Sequence, residues 1–300
     1  MFDKIFGNDK IKAELEDSVK LNKISHSYLF IGTDGIGKKM IAKEFAKMVL
    51  CLNENKYCNN CKSCLEFDTN NHPDFNIIEP EENSMKIEQI REFQNSVIEK
   101  PIISEKKVYI INDADKMTDE AQNCLLKTLE EPPEFVIIIL IASNENAFLP
   151  TIESRCVKIH FENLSNSDIL KYFELNGLEN FSSQSMLDAS QGSIGKALKI
   201  KDNQDEYSKI EKLIYSLESS DEVDILNMAD VIYSAKEKKY DLLDYMNVVF
   251  IKMALKSAKY AKCIQIVEET KKRLIANSNY DMCIDNMLFN IYEIANKQNL

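Results

Sequence analysis

The sequence lacks several features that define large classes of protein. It contains no run of about 18 uninterrupted apolar residues, so a membrane span is not predicted. Basic residues are outnumbered, 37 to 49, and the net charge of −12 argues against strong nucleic-acid binding by this chain alone. The first residues lack the basic start and apolar stretch of a signal peptide, so we expect a cytoplasmic protein. With 44% hydrophobic and 29% charged residues over 300 positions, the composition favours two or three compact domains.

Glycine is scarce, and the few glycines are unevenly placed. Of the seven in the chain, Gly32, Gly35 and Gly37 lie in one short segment between an apolar run at 28–31 and a helical pattern from Lys39. Gly32 and Gly37-Lys38 fall at the spacing of the phosphate-binding motif G-x-x-x-x-G-K-[ST]. Glycines let several backbone N–H groups converge on one phosphate, and Lys38 would reach the terminal phosphates. The segment therefore predicts a nucleotide-binding loop between a strand and a helix.

The residues that would hold Mg²⁺ are missing from this predicted site. Lys39 stands where the motif needs a hydroxyl. A strand predicted at 107–112 ends in Asn112 and Asp113, where a P-loop ATPase keeps a metal-binding aspartate and a water-polarising glutamate. Turn residues that cap a strand explain Asn112 and Asp113 equally well. We expect a degenerate nucleotide site that does not hydrolyse ATP, and whether ATP binds there stays open.

Four of the eight cysteines form a cluster in the sequence. Cys51, Cys58, Cys61 and Cys64 fall within fourteen residues, the last three separated by two residues each. Thiolates at this spacing can fold back on one ion, and four sulfurs fill a closed tetrahedral Zn²⁺ shell, which indicates structural zinc rather than hydrolysis. Four free thiols in a loop are the alternative interpretation. His72 is a possible substitute ligand, although its place before a proline favours a turn.

The order of predicted elements indicates an α/β architecture followed by helices alone. Strands and helices alternate over about 160 residues, which implies a doubly wound parallel sheet. From residue 165 onward the patterns are helical only: a small bundle to residue 201, a polar stretch at 201–206 that is typical of a linker, and longer helices beyond.

Together these features resemble one family. The phosphate loop, the four-cysteine insert after its helix, the segment Leu-Leu-Lys-Thr-Leu-Glu-Glu-Pro-Pro at 125–133, Ser-Arg-Cys at 154–156 and the helical tail resemble bacterial DNA polymerase III clamp-loader subunits, which are AAA+ proteins. The resemblance implies an AAA+ P-loop parallel-sheet domain at 1–163 with a zinc module at 51–64, a small helical lid at 164–203 and an all-α collar for oligomerisation at 204–300. It also implies a part in loading the sliding clamp onto primed DNA, with gamma/tau and delta subunits as partners, within the DNA polymerase III holoenzyme.

Within this family, the departures from the ATPase pattern resemble the delta-prime type. The ATP-hydrolysing gamma/tau type keeps the loop hydroxyl, the acidic pair and a lid arginine, whereas Lys39, Asn112-Asp113 and Gly195 occupy the matching places here. Arg155 of the Ser-Arg-Cys motif is present, and the resemblance implies that it acts as an arginine finger in trans on an adjacent ATPase subunit. A genuine gamma/tau-type ATPase and a zinc-stabilised nucleic-acid-binding module are the alternatives.

Overall fold

The chain folds into two compact units, Met1–Ile169 and Leu170–Leu300. The computed structural model describes residue 2 and residues 5–54, 56–219, 222–234 and 236–296, with the side chains of 222 and 224–228 excepted. Among these residues, no helix is both long enough and apolar enough to cross a bilayer.

The first unit is built on a five-stranded sheet in the order β2-β3-β4-β1-β5, in which every pair of neighbours is parallel. The strands are β1 Ser27–Ile31, β2 Phe75–Ile78, β3 Lys107–Ile111, β4 Val136–Ala142 and β5 Val157–His160. The helices are α1 Asp9–Lys20, α2 Lys38–Leu50, α3 Lys62–Asp68, α4 Ile87–Val97, α5 Asp119–Glu130 and α6 Pro150–Glu153.

Helices cover both faces of this sheet. Phe30 and Ile110 pack into one apolar cluster, which includes Phe45 of α2. Leu29 and Leu140 point the other way, into a cluster that includes residues of α4 and α5. Neighbouring residues of a strand face opposite sides, so a central strand buried on both faces must be apolar throughout. The predicted doubly wound parallel sheet is therefore confirmed.

The second unit is helical throughout its described residues. Its helices are α7 Asn166–Leu175, which begins just before the boundary, α8 Gln184–Ala189, α9 Ile194–Asp202, α10 Gln204–Ser216, α11 Glu222–Ser234, α12 Lys239–Ala254, α13 Ala261–Ile275 and α14 Tyr280–Asn296. One apolar core joins α8 and α9 to the later helices, since Met186 and Ile200 belong to the same cluster as Tyr245 and Met287. The lid and collar boundaries at 203 and 204 stay predictions.

The predicted linker at 201–206 is wrong. Helix α9 continues to Asp202 and α10 starts at Gln204, so only Asn203 separates them. The Nζ atom of Lys201 donates to Oε1 of Gln204 over 2.9 Å across this junction, and Tyr207, one residue beyond the stretch, is buried. The polar residues of this stretch lie on exposed or half-exposed helix surface. Because such a surface is as polar as a linker, composition alone does not distinguish the two.

Candidate functional site

The glycine-rich segment turns the chain from β1 into α2, as its spacing predicts. Gly35 and Gly37 have φ of 75° and 98°, in the left-handed region that favours glycine. A Cβ atom on Gly32 would lie 2.8 Å from Cδ1 of Ile36 and 2.9 Å from Cβ of Phe161, so no side chain fits there. The loop lies at the carboxyl end of β1, between neighbours β4 and β5.

Lys38 lies folded back against this loop. Its side chain is 6% exposed, and Nζ donates to the carbonyl oxygen of Thr33 over 2.9 Å and to that of Gly32. The carboxylate of Asp34 is 3.5 Å away. Burial lowers the pKa of Lys38, and the charge of Asp34 opposes that change. The lysine thus occupies the centre of the loop and interacts with the loop's own oxygens.

Lys39 and Asn112 meet at the carboxylate of Glu79. Glu79 follows β2 and Asn112 follows β3, and these parallel strands are paired with Ile78 opposite Ile111. Nζ of Lys39 lies 2.5 Å from Oε1 of Glu79, and Nδ2 of Asn112 lies 3.4 Å from the same oxygen. The hydrogen bond and charge of Lys39 lower the pKa of Glu79. An ammonium group is therefore held where the motif would place a hydroxyl ligand for Mg²⁺.

Glu79 was not predicted as a site residue, although its position in the sequence offers a signal. An acidic residue directly after a strand lies at the carboxyl edge of a parallel sheet, where such sheets bind ligands. The partner could not be identified, because Lys39 and Glu79 are forty residues apart in sequence. Their proximity follows from the pairing of β2 beside β3.

The remaining acidic residues after β3 interact with other protein groups. Oδ2 of Asp113 pairs with Nζ of Lys116 over 3.0 Å. Oδ2 of Asp115 accepts a hydrogen bond from Oγ of Ser143 over 2.8 Å and another from the backbone N–H of Asn144 over 3.0 Å. Asp115, another residue without a predicted role, thus ties the end of β3 to the end of β4.

The four clustered cysteines come together in space. Their sulfur atoms all lie within 4.8 Å of one another, with Cys51 ending α2, Cys58 in the connection, and Cys61 and Cys64 at the start of α3. The Sγ atoms of Cys51 and Cys58 are 3.6 Å apart, and those of Cys51 and Cys61 are 4.0 Å apart. A disulfide requires about 2.05 Å, whereas four sulfurs around Zn²⁺ at about 2.3 Å would be roughly 3.8 Å apart. The donor set and spacing fit a tetrahedral zinc ion.

Local hydrogen bonds favour thiolate at two of these sulfurs. The backbone N–H of Cys61 donates to Sγ of Cys58 over 3.3 Å, and that of Cys64 donates to Sγ of Cys61 over 3.5 Å. Desolvation opposes ionisation of Cys61. Hydrogen bonds from the Cys64 and Leu52 backbones, together with those from the Cys58 and Cys64 side chains, outweigh it and lower the pKa of Cys61 to about 6. Burial instead raises the pKa of Cys64. Metal binding requires thiolates, so a metal held by all four cysteines would displace the proton of Cys64.

His72 lies outside the metal cluster and serves a buried network. Its Nδ1 accepts the backbone N–H of Asp74 over 3.1 Å, which places the ring proton on Nε2. Nε2 lies 2.9 Å from Oγ of Ser63, and that hydroxyl donates to the carbonyl of Leu50 over 2.7 Å. Burial lowers the pKa of His72 and so favours the neutral ring. The network joins the end of α2 to the start of α3 and so holds the cysteine segment together.

Arg155 lies at the opposite end of the sheet from the phosphate loop. Its backbone carbonyl accepts a hydrogen bond from Oγ of Ser27, the first residue of β1, over 2.6 Å, whereas the loop follows the last residue of β1. Five strand residues span roughly 16 Å. Nη2 of Arg155 pairs with Oε1 of Glu130 over 2.8 Å, and Nη1 donates to the carbonyl of Thr151 over 2.9 Å. The guanidinium is therefore beyond reach of this chain's own loop.

Residue 195, where the family resemblance would set a lid arginine, is glycine and belongs to the first turn of α9. The preceding Ser193 caps that helix by accepting the backbone N–H of Lys196 over 3.1 Å. No side chain at residue 195 can contribute to a nucleotide site.

A family model described as "DNA polymerase III, delta subunit" matches residues 7–165. The chain belongs to this family. The match contains the phosphate loop, the cysteine cluster and Arg155, whereas residue 195 lies outside it. The clamp-loader resemblance drawn from the sequence is confirmed.

Individual relatives agree with this assignment. DNA polymerase III subunit delta' of Bacillus subtilis is 38% identical over 151 residues, which cover 50% of this chain and 46% of that protein. The tau/gamma subunit of Haemophilus influenzae is 32% identical over 209 residues, covering 67% of this chain and 30% of that protein. The chain thus spans less than half the length of either relative. The similarity to the delta-prime type is confirmed.

A solved structure shows the same fold. A DNA polymerase III gamma subunit-related protein from Thermotoga maritima superposes with a TM-score of 0.50 at 18% identity. The match covers 94% of this chain and 99% of the other. The predicted fold, a parallel-sheet unit followed by helices, is confirmed.

Proposed function

We propose that this chain is a delta-prime-type clamp-loader subunit that supplies Arg155 to the nucleotide site of a neighbouring ATPase subunit and does not hydrolyse ATP itself. One observation carries the proposal: Arg155 and the phosphate loop are at opposite ends of β1. An arginine in that place cannot contact a nucleotide in the loop of its own chain, but it can contact one that is bound to another protein. A guanidinium is planar and permanently charged, so it can offset the charge that develops on a transferred γ-phosphate.

The phosphate loop supports the second half of the proposal. Mg²⁺ prefers oxygen ligands in near-ideal octahedral geometry, and ATP hydrolysis by P-loop proteins depends on that ion. Lys39 and the amide of Asn112 instead converge on Glu79. An ammonium repels a divalent cation, so the site is expected to be inactive even if the loop binds phosphate groups.

The partners follow from the family. The acting ATPase would be a gamma/tau subunit, and together with a delta subunit the complex would load the sliding clamp onto primed DNA. The four cysteines would hold one structural Zn²⁺, and helices of the second unit would serve assembly. Such a role belongs in the cytoplasm and contributes to the DNA-directed DNA polymerase activity of the holoenzyme. The net charge of −12 disfavours an independent nucleic-acid-binding module.

Reconstitution with gamma/tau and delta subunits tests the proposal. Arg155→Ala should leave assembly intact but lower DNA-stimulated ATP hydrolysis, mainly in kcat, because an arginine finger acts on transition-state charge. An arginine finger contributes on the order of 10³–10⁵ to the hydrolysis rate at the site it completes. Hydrolysis at that site should therefore almost disappear, and the total rate should fall by the fraction that this site contributes. Arg155→Lys should restore only part of the loss, because it keeps the charge and loses the planar fork.

Arg91→Ala provides the matched control. Arg91 is an exposed arginine on α4 in the same unit, and its removal should leave hydrolysis unchanged. Equal rates for the Arg155→Ala complex and the wild-type complex would overturn the trans-acting role. ATP turnover by the isolated wild-type chain that disappears with Lys38→Ala would instead identify a gamma/tau-type ATPase.

A further inference from the structure

Arg155 is paired with an acidic residue that no nucleotide-binding motif explains. Nη2 of its guanidinium lies 2.8 Å from Oε1 of Glu130, and Nη1 donates to the Thr151 carbonyl over 2.9 Å. A guanidinium binds a phosphate best with two parallel N–H groups. With one nitrogen on a carboxylate and another on a carbonyl, the fork that a γ-phosphate requires is already engaged.

The elements that present the two side chains are fixed against each other. Glu130 is the last residue of α5, and Arg155 follows α6. The side chain of Gln122 in α5 donates to the carbonyl of Ala147 over 2.9 Å and accepts the N–H of Leu149, just before α6, also over 2.9 Å. These hydrogen bonds therefore hold α5 and the segment before α6 together, and with them the backbone that presents Glu130 and Arg155.

The place of Glu130 is unfavourable for helix stability. The carbonyl groups at the end of a helix carry partial negative charge, so an anionic side chain in the last turn is disfavoured. The side chains of Glu130 and Arg155 are 49% and 34% exposed, and ion pairs this accessible to water contribute little to folding. Neither helix stability nor ion-pair strength therefore explains a carboxylate at this position.

We infer that Glu130 is a positioning residue that holds Arg155 in a resting position and competes with the neighbouring subunit's nucleotide for it. This inference rests on the proposed trans-acting role. In the free subunit the carboxylate neutralises the guanidinium and keeps it against α5. In the assembled loader the triphosphate is a stronger anion, and Arg155 leaves Glu130 when the neighbouring site closes on it. Glu130 thus restrains hydrolysis before the complex is fully engaged with DNA.

The test compares Glu130→Gln with wild type in the reconstituted loader, with and without primed DNA. Without DNA, hydrolysis at the site that Arg155 completes should rise by roughly 1.4- to five-fold, the range that corresponds to loss of an exposed ion pair. Total hydrolysis should rise by the share of that one site. The DNA-stimulated kcat should change less, since the carboxylate has already been displaced in that state. The difference should also shrink at high salt, because exposed ion pairs are screened.

Three further variants make the result specific. Glu130→Asp keeps the carboxylate and should restore much of the restraint. Glu131→Gln removes the next acidic residue, which is exposed, and should leave the DNA-independent rate unchanged. In an Arg155→Ala background, Glu130→Gln should have no effect, because no arginine remains to be released.

The possible failures are distinguishable. If Arg155→Ala lowers hydrolysis but Glu130→Gln changes nothing, the restraint is overturned and the trans-acting role stands. If Glu130→Gln raises the rate by the same factor in the Arg155→Ala background, Glu130 acts elsewhere and the inference is again overturned. If Arg155→Ala itself has no effect, both the trans-acting role and the inference that rests on it are overturned.

Discussion

At the scale of single residues, the proposed loss of Mg²⁺ binding at the phosphate loop depends on Lys39. A serine or threonine hydroxyl would offer an oxygen to Mg²⁺, whereas the Lys39 ammonium offers only donors and a positive charge. Glu79 pairs with that ammonium over 2.5 Å, so its carboxylate is also occupied. If the site is degenerate, as proposed, its loss of metal chemistry is accompanied by a local ion pair between Lys39 and Glu79.

Restoring the hydroxyl should restore a response to metal. In Lys39→Ser, Mg²⁺ should tighten ATP binding by the isolated chain by roughly tenfold, about 1.4 kcal/mol, because an oxygen ligand returns and Glu79 is released. Fluorescence titration of a nucleotide analogue with Mg²⁺ or with EDTA measures this. Lys39→Ala removes the cation without adding a ligand, so its binding should be insensitive to Mg²⁺. An equal response in both variants would show that the hydroxyl position is irrelevant.

Site residues that lie in recognisable motifs could be predicted from the sequence, whereas their partners could not. Lys39 and Arg155 occur in motifs, so their positions could be read directly. Glu79 lies in no recognised motif. Glu130 lies in the 125–133 segment that carries the family resemblance, but that segment does not identify its partner. Their roles depend on which strands are neighbours and on how α5 lies against α6, and the alternation of strands and helices does not encode that order.

At the scale of elements, the cysteine segment is a small module with two supports. The sulfurs gather at one end, and beneath them the hydroxyl of Ser63 donates to the Leu50 carbonyl over 2.7 Å. Oγ of Ser104, from the connection before β3, donates to the same carbonyl over 2.7 Å. The spacing of the cysteines predicted their gathering, but α3 and this polar support were not predicted because their partners are distant in sequence.

The module should depend on metal through its four thiolates. Purified protein should contain about one Zn²⁺ per chain, and Cys61→Ser should lower that content sharply and increase proteolysis around residues 51–64. Elemental analysis measures the first effect. Cys124→Ser is the control: Cys124 lies outside the cluster, donates to Oε1 of Gln94 over 3.2 Å, and can be replaced by a hydroxyl donor. Metal-free wild-type protein, prepared without chelator, would refute the zinc assignment.

At the scale of the whole molecule, the chain has two units with separate apolar cores. The sheet of the first unit has clusters on both faces, and helices α8 to α14 of the second unit share another core. The length and composition predicted more than one domain. The extent of the helical core was not predicted, because the helical stripes do not indicate which helices pack together.

A mutation in the apolar core of the second unit should destabilise that unit without destabilising the first. Met246→Ala should destabilise the second unit by about 2–5 kcal/mol, since the Met246 side chain is fully buried at 0% exposure. Hydrogen exchange should then show faster exchange in α12 to α14 and little change in β1 to β4. Leu255→Ala, at a side chain that is 85% exposed, should leave exchange unchanged. Equal loss of protection in the sheet would show that both units unfold together.

The opposite placement of Arg155 and the phosphate loop has a consequence for stoichiometry. Contacts in which one subunit's arginine meets the next subunit's nucleotide are head-to-tail, and they continue until a subunit lacks one of the two surfaces. On the proposed role, this chain donates an arginine but cannot use one, and so it would stand at the end of such a row. The number of nucleotide sites completed by an arginine would then equal the number of hydrolysing subunits, because this chain would complete the site of the first one.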